Sequence, residues 1–419
     1  MKKSYAVISA SMALLLTLGG EIQSVSSVVH AQEVQQSVKN VQRQADFNPQ
    51  QYANEVDSFI KDQTDPDIGS LFMKFTSQEV KDYGKYGQEN KEQIKQIWGA
   101  GILFNFAFQG HSVIYDDLIK LLPNNGSNDV NLGFFPNTKS EKITIPNQEN
   151  GGTIQSVAYF TPHKEGSTNA NKTVVMHGGY RGNVDKGYDL DEAGVFYNLG
   201  YNILYVDNRA TSQSTGDYVT FGQYEADDVI AWINHLNETK PGQKVVLYGG
   251  SMGAATMMSV LAKAHPDNIK GLIENCGYAH IGNQLTYSYD ALTRVLSNNP
   301  DTKFIADLLK KNFSITTGNA SEMLNTMDQY YIKPQANVDI NGALPIKGVG
   351  SSLPKLLIHG TMDNIVPYDN MNTLMENSKG DTTEMRAEGA GHGEAQKMYP
   401  ERYERTVDNF LNDVVFKTK

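Results

Sequence analysis

The chain has 419 residues and a formal net charge of −11, with 39% hydrophobic and 20% charged residues. This length allows one large domain with an additional segment, or two domains. The net negative charge and the lack of a cluster of basic residues in the sequence argue against nucleic acid as the main partner, because phosphate binding needs clustered lysine and arginine.

The chain begins with a segment typical of an export signal. Two lysines precede an apolar run from Tyr5 to Leu18, which is shorter than the roughly 20 residues of a membrane-spanning helix. The small and moderate residues ending at Ala31 predict cleavage there. Residues 1–31 are therefore predicted to be a signal peptide, and the mature protein to be secreted without a stable membrane span. The alternative is an uncleaved N-terminal anchor.

Residues 32–139 are predicted to form a solvated leader followed by a helical extension. DFNPQQYANEVDSFI places Asn48 and Pro49 before apolar residues at helical spacing. KEQIKQIWGAGILFNFAF holds an apolar stretch over residues 97–108 that is too short to cross a bilayer. We expect this helix to pack on the main domain; the alternative is a flap beside a substrate site or membrane surface. The Asn- and Gly-rich segment NNGSNDVNLGFFPN is predicted to be a loop.

From residue 140 to residue 419, short apolar runs alternate with helical segments, which indicates a second and larger domain. KITIP and TIQSVAYF flank NQENGG and predict a hairpin. Five further runs suit strands buried on both faces: TVVM, NILYV, KVVLY, GLIEN and KLLIH. TTEMRAE follows them as a further candidate strand. The alternation predicts an α/β fold with a mostly parallel eight-stranded sheet and helices on both faces. The last helical segment should dock on the sheet through Tyr403, Val407, Phe410, Leu411 and Val414.

One connection is much longer than its neighbours. About 80 residues separate GLIEN from KLLIH, and they contain helical patterns such as FIADLLKKNF. Because so long a connection is uncommon as bare loop, we expect residues 279–350 to form a helical lid.

The segment LYGGSMGAAT contains the strongest chemical motif. Ser251 lies between glycines in a G-x-S-x-G pattern, after the strand KVVLY and before the helical segment AATMMSVLAKA. A serine on so sharp a turn needs small neighbours, and the turn exposes its hydroxyl beside a helix N-terminus. Ser251 is thus a candidate nucleophile, the alternative being a small residue in a tight loop.

Two further residues follow strands at positions that suit partners for this serine. Asp363 follows KLLIH, and His392 lies between glycines after TTEMRAE. In open α/β sheets, ligands bind beyond the carboxyl ends of the strands. Taken singly, Asp363 could be a turn residue and His392 a solvated surface residue. Their order along the chain, serine, acid, histidine, is that of the α/β hydrolases.

From about residue 140 onward the chain resembles the α/β-hydrolase superfamily, and most closely its YqkD-like, serine-aminopeptidase-like bacterial branch. The resemblance rests on GGSMGAAT, ENCGYAHI, HGTMDNIVP, GAGHGEA and DNRATSQSTGDYVTFGQYEADDV. In the last stretch, Ala210 and Ser212 stand where the family usually has glycine. The resemblance implies the α/β-hydrolase fold with a helical lid insertion.

An acyl-transfer enzyme also needs two main-chain N–H groups for the developing negative charge. One is expected from Met252, the residue after the nucleophile. The second is expected from the loop after TVVM, where spacing favours Gly179 and the resemblance of YRGN favours Tyr180. His177 and His359, each before a glycine at a strand end, are expected to support loops rather than to act in catalysis.

Cys276 is the only cysteine, so no intrachain disulfide can form. It follows the strand GLIEN and is predicted to be a buried structural thiol, since the sequence reveals no catalytic partner for it. The histidines and the cysteine lack metal-ligand spacing, and no dinucleotide motif follows a strand, so we expect neither a metal nor a cofactor.

These residues predict a serine hydrolase that cleaves acyl esters through an acyl-enzyme, most simply a carboxylesterase on a small-molecule substrate. A peptidase or amidase of the same fold is the first alternative. Removal of N-terminal residues would need an acidic cluster in the lid, and the acidic residues there are scattered: Asp290, Asp301, Asp307, Glu322 and Asp328. A secreted, non-catalytic binding protein on a hydrolase scaffold is the second alternative. The oligomeric state is left open.

Overall fold

A computed structural model describes residues 44–64, 67–118, 135–182, 184, 190–211 and 213–418. The predicted signal peptide, most of the predicted leader and most of the predicted Asn-rich loop lie outside these residues.

The centre of the fold is one eight-stranded sheet. Its strands are β1 (Lys139–Pro146), β2 (Thr153–Thr161), β3 (Lys172–His177), β4 (Asn202–Val206), β5 (Lys244–Gly250), β6 (Ile269–Asn275), β7 (Lys355–Gly360) and β8 (Thr382–Ala387). Their order in the sheet is β1-β2-β4-β3-β5-β6-β7-β8. β2 pairs antiparallel with β1 and with β4, and all other neighbours are parallel. All eight predicted strands are confirmed.

The central strands are covered on both faces, as their continuous apolar runs predict. β3, β4 and β7 are buried along their whole length. The carboxyl ends of parallel strands lie along one edge of a sheet. The segments that follow β3, β5, β6, β7 and β8 therefore meet at that edge.

The helices within the described residues are α1 (Pro49–Lys61), α2 (Ile68–Tyr86), α3 (Lys91–Ala107), α4 (Val113–Leu118), α5 (Leu190–Asn198), α6 (Glu225–Thr239), α7 (Met252–Ala262), α8 (Ile281–Asn298), α9 (Lys303–Phe313), α10 (Ala320–Met327), α11 (Leu344–Val349), α12 (Asp369–Asn377), α13 (Ala395–Met398) and α14 (Pro400–Asn409). Two π-helical segments, Asp328–Ala336 and Phe410–Val415, extend α10 and α14. None of the helices in this described part of the chain is long and apolar enough to cross a membrane.

The C-terminal helix docks on one face of the sheet, as its apolar spacing predicts. Tyr403, Val407, Phe410 and Leu411 are buried in one cluster with strand residues of β3 and β5, and Val414 packs against that cluster. The opposite face of the sheet carries α6 and α7, whose apolar residues join a second and larger cluster.

The N-terminal helices pack against the rest of the molecule. The side chain of Asn48 caps α1 by accepting a 3.0 Å hydrogen bond from the Gln51 amide. α3 is buried along most of its length, and its Trp98 ring lies 6.1 Å from that of Phe313. Residues of α1 to α3 share one apolar cluster with the sheet. The packed arrangement of α3 is therefore confirmed, while the predicted domain boundary after residue 139 stays a prediction.

The long connection between β6 and β7 is helical, as expected. It comprises α8 to α11 with the first π-helical segment, and it packs against α3 rather than against the sheet alone. The Tyr331 hydroxyl donates a 2.9 Å hydrogen bond to the Ile97 carbonyl. At Gly99 a side chain would overlap the Phe313 carbonyl, so glycine permits the close approach of the two helices. The insertion and the N-terminal extension thus form one helical layer.

Candidate active site

Ser251 occupies the sharp turn that joins β5 to α7. Its φ of 56° and ψ of −121° are unusual for a residue with a side chain, and such conformations persist where the surrounding structure holds them. A side chain at Gly249 would overlap the backbone of Gly253, and one at Gly253 would overlap the His177 carbonyl. The two flanking glycines therefore have the steric role that the motif predicts.

Asp363 and His392 reach Ser251 from the loops after β7 and β8. His392 Nε2 lies 2.9 Å from Ser251 Oγ, and His392 Nδ1 lies 2.7 Å from Asp363 Oδ2. The Asp363 carboxylate is buried, while the His392 side chain keeps 20% of its surface exposed. The structure thus brings together three residues that are far apart in the chain, in one hydrogen-bonded line.

The hydrogen bonds around Asp363 keep it ionised. Its Oδ1 accepts from the amides of Ile365 and Val366, each at 2.9 Å, and its Oδ2 faces His392 and also His359 Nε2 at 3.2 Å. Burial alone would raise the pKa of Asp363, but the hydrogen bonds from His359 and His392 hold that pKa well below its usual range. An ionised Asp363 can only accept, so Nδ1 of His392 carries the proton and Nε2 accepts from Ser251.

His392 is a stronger base than an ordinary histidine. Burial opposes its charged form, but Cys276 and Asp363 raise the pKa of His392 well above the ordinary value. Burial also raises the pKa of the Cys276 thiol, which is therefore neutral. The Asp363 carboxylate is accordingly the charge that favours the imidazolium.

Cys276 is buried, as predicted, but it has a neighbour that the sequence did not reveal. Its sulfur, a His392 ring nitrogen and an Asp363 carboxylate oxygen lie within 4.8 Å of one another. It is also the residue after β6, so the rule that strand ends meet at one edge could have placed it beside Ser251 and Asp363. The 2.7 Å contact of Asp363 with His392 fits a hydrogen bond better than two ligands of one metal ion.

The main-chain N–H groups that could stabilise a negatively charged intermediate belong to residues near Ser251. Met252 is the first residue of α7 and is buried. A Cβ at Gly179 would lie 3.3 Å from Ser251 Cβ, so the Gly179 backbone borders the serine. The Tyr180 hydroxyl donates to the carbonyl of Ala107, the last residue of α3, at 2.8 Å. The roles of Met252, Gly179 and Tyr180 in an oxyanion hole stay predictions.

The two histidines that precede glycines serve the loops. His177 Nδ1 lies 3.0 Å from the Gly178 carbonyl oxygen, and burial lowers the pKa of His177. His359 Nε2 lies 2.9 Å from the Val366 carbonyl oxygen and fastens the loop that carries Asp363. The direct approach of His359 to Asp363 is a feature that sequence reasoning missed, although their spacing of four residues hinted at it.

Behind the site, Glu274 is a fully buried carboxylic acid of β6. Burial raises the pKa of Glu274 to about 7, against a smaller lowering by His359 and the Gly277 amide. Its Oε2 accepts from that amide at 2.8 Å, and its Oε1 has no hydrogen-bond partner among the described residues. Glu274 begins the segment ENCGYAHI that carries part of the resemblance, but the sequence alone indicated no role for it.

The loop after β4 is held by a buried ion-pair network. Arg209 donates to Asp228 at 2.9 and 2.7 Å and to Glu149 at 3.1 Å. The next residue, Ala210, has a φ of 58°, in the region that favours glycine. Ala210 therefore adopts a backbone conformation that favours glycine, at some cost in conformational strain. Ser212, the other departure from the family pattern, lies outside the described residues.

The sheet order, the strand-turn-helix at Ser251 and the helical insertion define an α/β hydrolase. The family model described as "Serine aminopeptidase, S33" matches residues 169–396, which is more than half of the chain. The chain belongs to this family of hydrolases.

The chain is also similar to individual bacterial and archaeal proteins. It is 26% identical over 223 residues to YqkD of Bacillus subtilis (strain 168), an alignment that covers 52% of this chain and 65% of YqkD. It is 26% identical over 245 residues to a Haemophilus influenzae protein named "Putative esterase/lipase", which covers 54% of this chain and 79% of that protein. Among solved structures, an esterase of Pyrococcus furiosus has a TM-score of 0.49 at 19% identity, covering 66% of this chain and 92% of that one. The chain thus spans just under two thirds of YqkD.

Proposed function

We propose that this protein is a serine hydrolase that cleaves carboxylic esters through an acyl-enzyme. The observation that carries the proposal is the hydrogen-bonded line from Ser251 Oγ through the His392 ring to the Asp363 carboxylate. Nucleophile, base and orienting acid in this order are the arrangement that acyl transfer requires.

The proposed reaction has two halves. In the first, Ser251 Oγ attacks the ester carbonyl carbon while His392 Nε2 takes the hydroxyl proton. The tetrahedral intermediate collapses, the bond to the alcohol oxygen breaks, and His392 returns the proton to the leaving alkoxide. In the second, water gives a proton to His392 while its oxygen attacks the acyl carbon. The bond from that carbon to Ser251 Oγ then breaks, His392 returns the proton to Oγ, and the acid is released.

For the intermediate we propose the amides of Met252 and Gly179 as the oxyanion hole. Met252 begins α7, so its N–H lies at a helix N-terminus, where partial positive charge favours an anion. Gly179 is favoured over Tyr180 because its backbone borders Ser251. Tyr180 then has a different role, anchoring this loop to α3 through its hydroxyl.

The charges of the insertion favour esters over free N-terminal amines. A site for a substrate ammonium would gather carboxylates, yet two of the acidic residues of the insertion, Asp307 and Asp328, each pair with a nearby lysine. Lys303 contacts Asp307 at 2.8 Å, and Lys333 contacts Asp328 at 2.6 Å. The description of the family supports the alternative of a peptidase. A comparison of ester and amide substrates decides between an esterase and a peptidase.

That experiment is a turnover panel of nitrophenyl acyl esters and aminoacyl nitroanilides at equal concentrations. We expect turnover of the esters with a burst of nitrophenol, since the acyl-enzyme forms before it is hydrolysed. Faster turnover of the aminoacyl amides would establish the peptidase instead. The absence of turnover on both would favour a binding protein on this scaffold.

We also propose that the protein is exported and cleaved after Ala31. The support is the pair of lysines followed by a short apolar run at the start of the chain. The N-terminus of the protein recovered from the culture medium of its host should be Gln32. Recovery only from the membrane fraction, with residues 1–31 retained, would contradict export by this route.

A further inference from the structure

We propose that an apolar pocket between α3 and the helical insertion holds an alkyl chain of the substrate. The N-terminal extension would then set the chain-length preference of the enzyme. This extension lies outside the segment that matches the family, which begins at residue 169. This inference rests on the proposed function and names the substrate class of the same site.

The pocket has a volume of about 70 Å³, several times the roughly 10–15 Å³ that one water molecule requires. One wall comes from α3 and the other from α8 and α10. The apolar residues that line it are Leu103, Phe106, Leu285, Leu292, Met323 and Leu324, with Ala107 and Met327 beside them.

None of the described lining residues of this pocket carries a charge. Its polar members are Ser288 and Tyr289, and the Tyr289 hydroxyl already donates to the Thr316 carbonyl at 3.0 Å. A substrate ammonium or carboxylate would lose its hydration there without gaining a partner. An alkyl chain would instead gain from leaving water, and the flexible side chains of Met323 and Met327 can adapt to its shape.

Both walls are fastened to the loops that carry the candidate triad. On one side, Ala107 accepts a 2.8 Å hydrogen bond from Tyr180, whose neighbour Gly179 borders Ser251. On the other side, Gln284 of α8 donates at 2.8 Å to the carbonyl of Ile365, two residues after Asp363. The pocket is therefore built from helices that are hydrogen-bonded to the loops on both sides of Ser251, and the alkyl chain of the substrate would lie in it.

A labelling experiment on the full chain tests the pocket without needing the natural substrate. Fluorophosphonates with alkyl chains of increasing length would be reacted with the parent protein, and the rate of labelling at Ser251 measured. The variant Leu324→Trp fills the pocket, and Asn325→Trp places the same bulk on the exposed side of α10. Leu324→Ala enlarges the pocket and serves as a second variant if Leu324→Trp fails to fold.

We expect Leu324→Trp to reduce the labelling rate by the longer-chain probes relative to the shortest by about tenfold or more, the size of effect that methylene groups have in apolar pockets. Leu324→Ala should move the preference to longer chains, and Asn325→Trp should keep the parent's ratio. Equal ratios in all four proteins would overturn the pocket proposal. Absence of labelling at Ser251 in the parent would instead contradict the proposed function.

Two series of esters then identify which end of the substrate the pocket takes. One series lengthens the acyl chain on a fixed alcohol, and the other lengthens the alcohol on a fixed acetyl group. A change of preference in Leu324→Trp in the acyl series assigns the pocket to the acid, and a change in the alcohol series assigns it to the leaving group. No change in either series would overturn the proposal.

Discussion

The hydroxyl of Tyr180 donates a hydrogen bond of 2.8 Å to the main-chain carbonyl of Ala107. Tyr180 belongs to the loop after β3, beside Ser251, and Ala107 is the last residue of α3. The neighbouring Arg181 reinforces the junction, because its Nη1 donates to the carbonyl of Gly110 at 2.6 Å. The N-terminal extension is thus fastened to a wall of the candidate active site.

Tyr180→Phe should weaken this junction while keeping the ring. We expect the free energy of unfolding to fall by about 1 kcal/mol, the net value of one neutral hydrogen bond, and kcat/KM for esters to fall as well. Denaturant titration and steady-state kinetics measure both. Tyr330→Phe is the matched control, since its hydroxyl accepts from Gln93 on α3, away from the serine. If Tyr180→Phe behaves like that control, the junction has no role in the site.

Asp363→Asn should retain the fold but remove the charge that orients His392. An asparagine can donate to Nδ1 and so favour the wrong tautomer, and we expect kcat to fall by about 10⁴-fold. The control Glu376→Gln removes the charge of an exposed carboxylate on α12 and should leave kcat unchanged. A loss much smaller than expected would contradict the role of Asp363.

Asp363 and His392 should also determine the pH dependence of activity. His392 must be neutral to accept the Ser251 proton, and its pKa is raised well above the ordinary value beside Asp363. Activity of the parent enzyme should therefore rise with pH along a limb whose midpoint lies above the ordinary histidine pKa of about 6.5. In Asp363→Asn the residual activity should rise at lower pH, because the charge that favours the imidazolium is gone. Profiles of kcat/KM against pH for both proteins test this shift, and superimposable limbs would contradict it.

Glu274→Gln should stabilise the protein at alkaline pH. The folded pKa of Glu274, about 7, lies above its ordinary value of 4.5, so between these values the folded state holds a proton that the unfolded chain has lost. Stability from this group therefore falls as pH rises through that window, by about 3 kcal/mol for a shift of this size. Unfolding titrations at pH 5 and pH 8 should show a stability gain in the variant that is much larger at pH 8. Equal gains at both pH values, or none, would contradict the buried acid, and Glu404→Gln on the exposed side of α14 is the control.

Arg209→Met should strongly destabilise the fold. The Arg209 guanidinium is buried between Asp228 and Glu149, and its removal would leave two buried carboxyl groups without their cation. We expect a loss of about 3–5 kcal/mol in the free energy of unfolding, measured by denaturant titration. The exposed Arg294 provides the control Arg294→Met, which should change stability little. A loss in Arg209→Met no larger than in the control would contradict the importance of this network.

The strands and the three aligned residues could be predicted because each leaves a local trace in the sequence. Apolar runs mark β3 to β7, and Ser251, Asp363 and His392 each follow a strand in chain order. The fold then brings them together, since strand ends share one edge of the sheet.

Other features depend on contacts between distant segments and left no such trace. Cys276 was placed correctly as a buried thiol, but its approach to His392 depends on the loop after β8. The pocket lies between helices that are more than 170 residues apart in sequence, and Phe106 of α3 and Leu285 of α8 both line it. Glu274 follows the apolar run of β6, and its pKa is raised by burial that only the folded structure creates.

The most direct test of the proposed nucleophile is fluorophosphonate labelling of the protein, with the modified peptide identified by mass spectrometry. We predict one adduct, on Ser251, which forms faster as pH rises and is absent from Ser251→Ala. An unlabelled parent protein, or equal labelling of Ser251→Ala, would contradict the claim that Ser251 is the nucleophile.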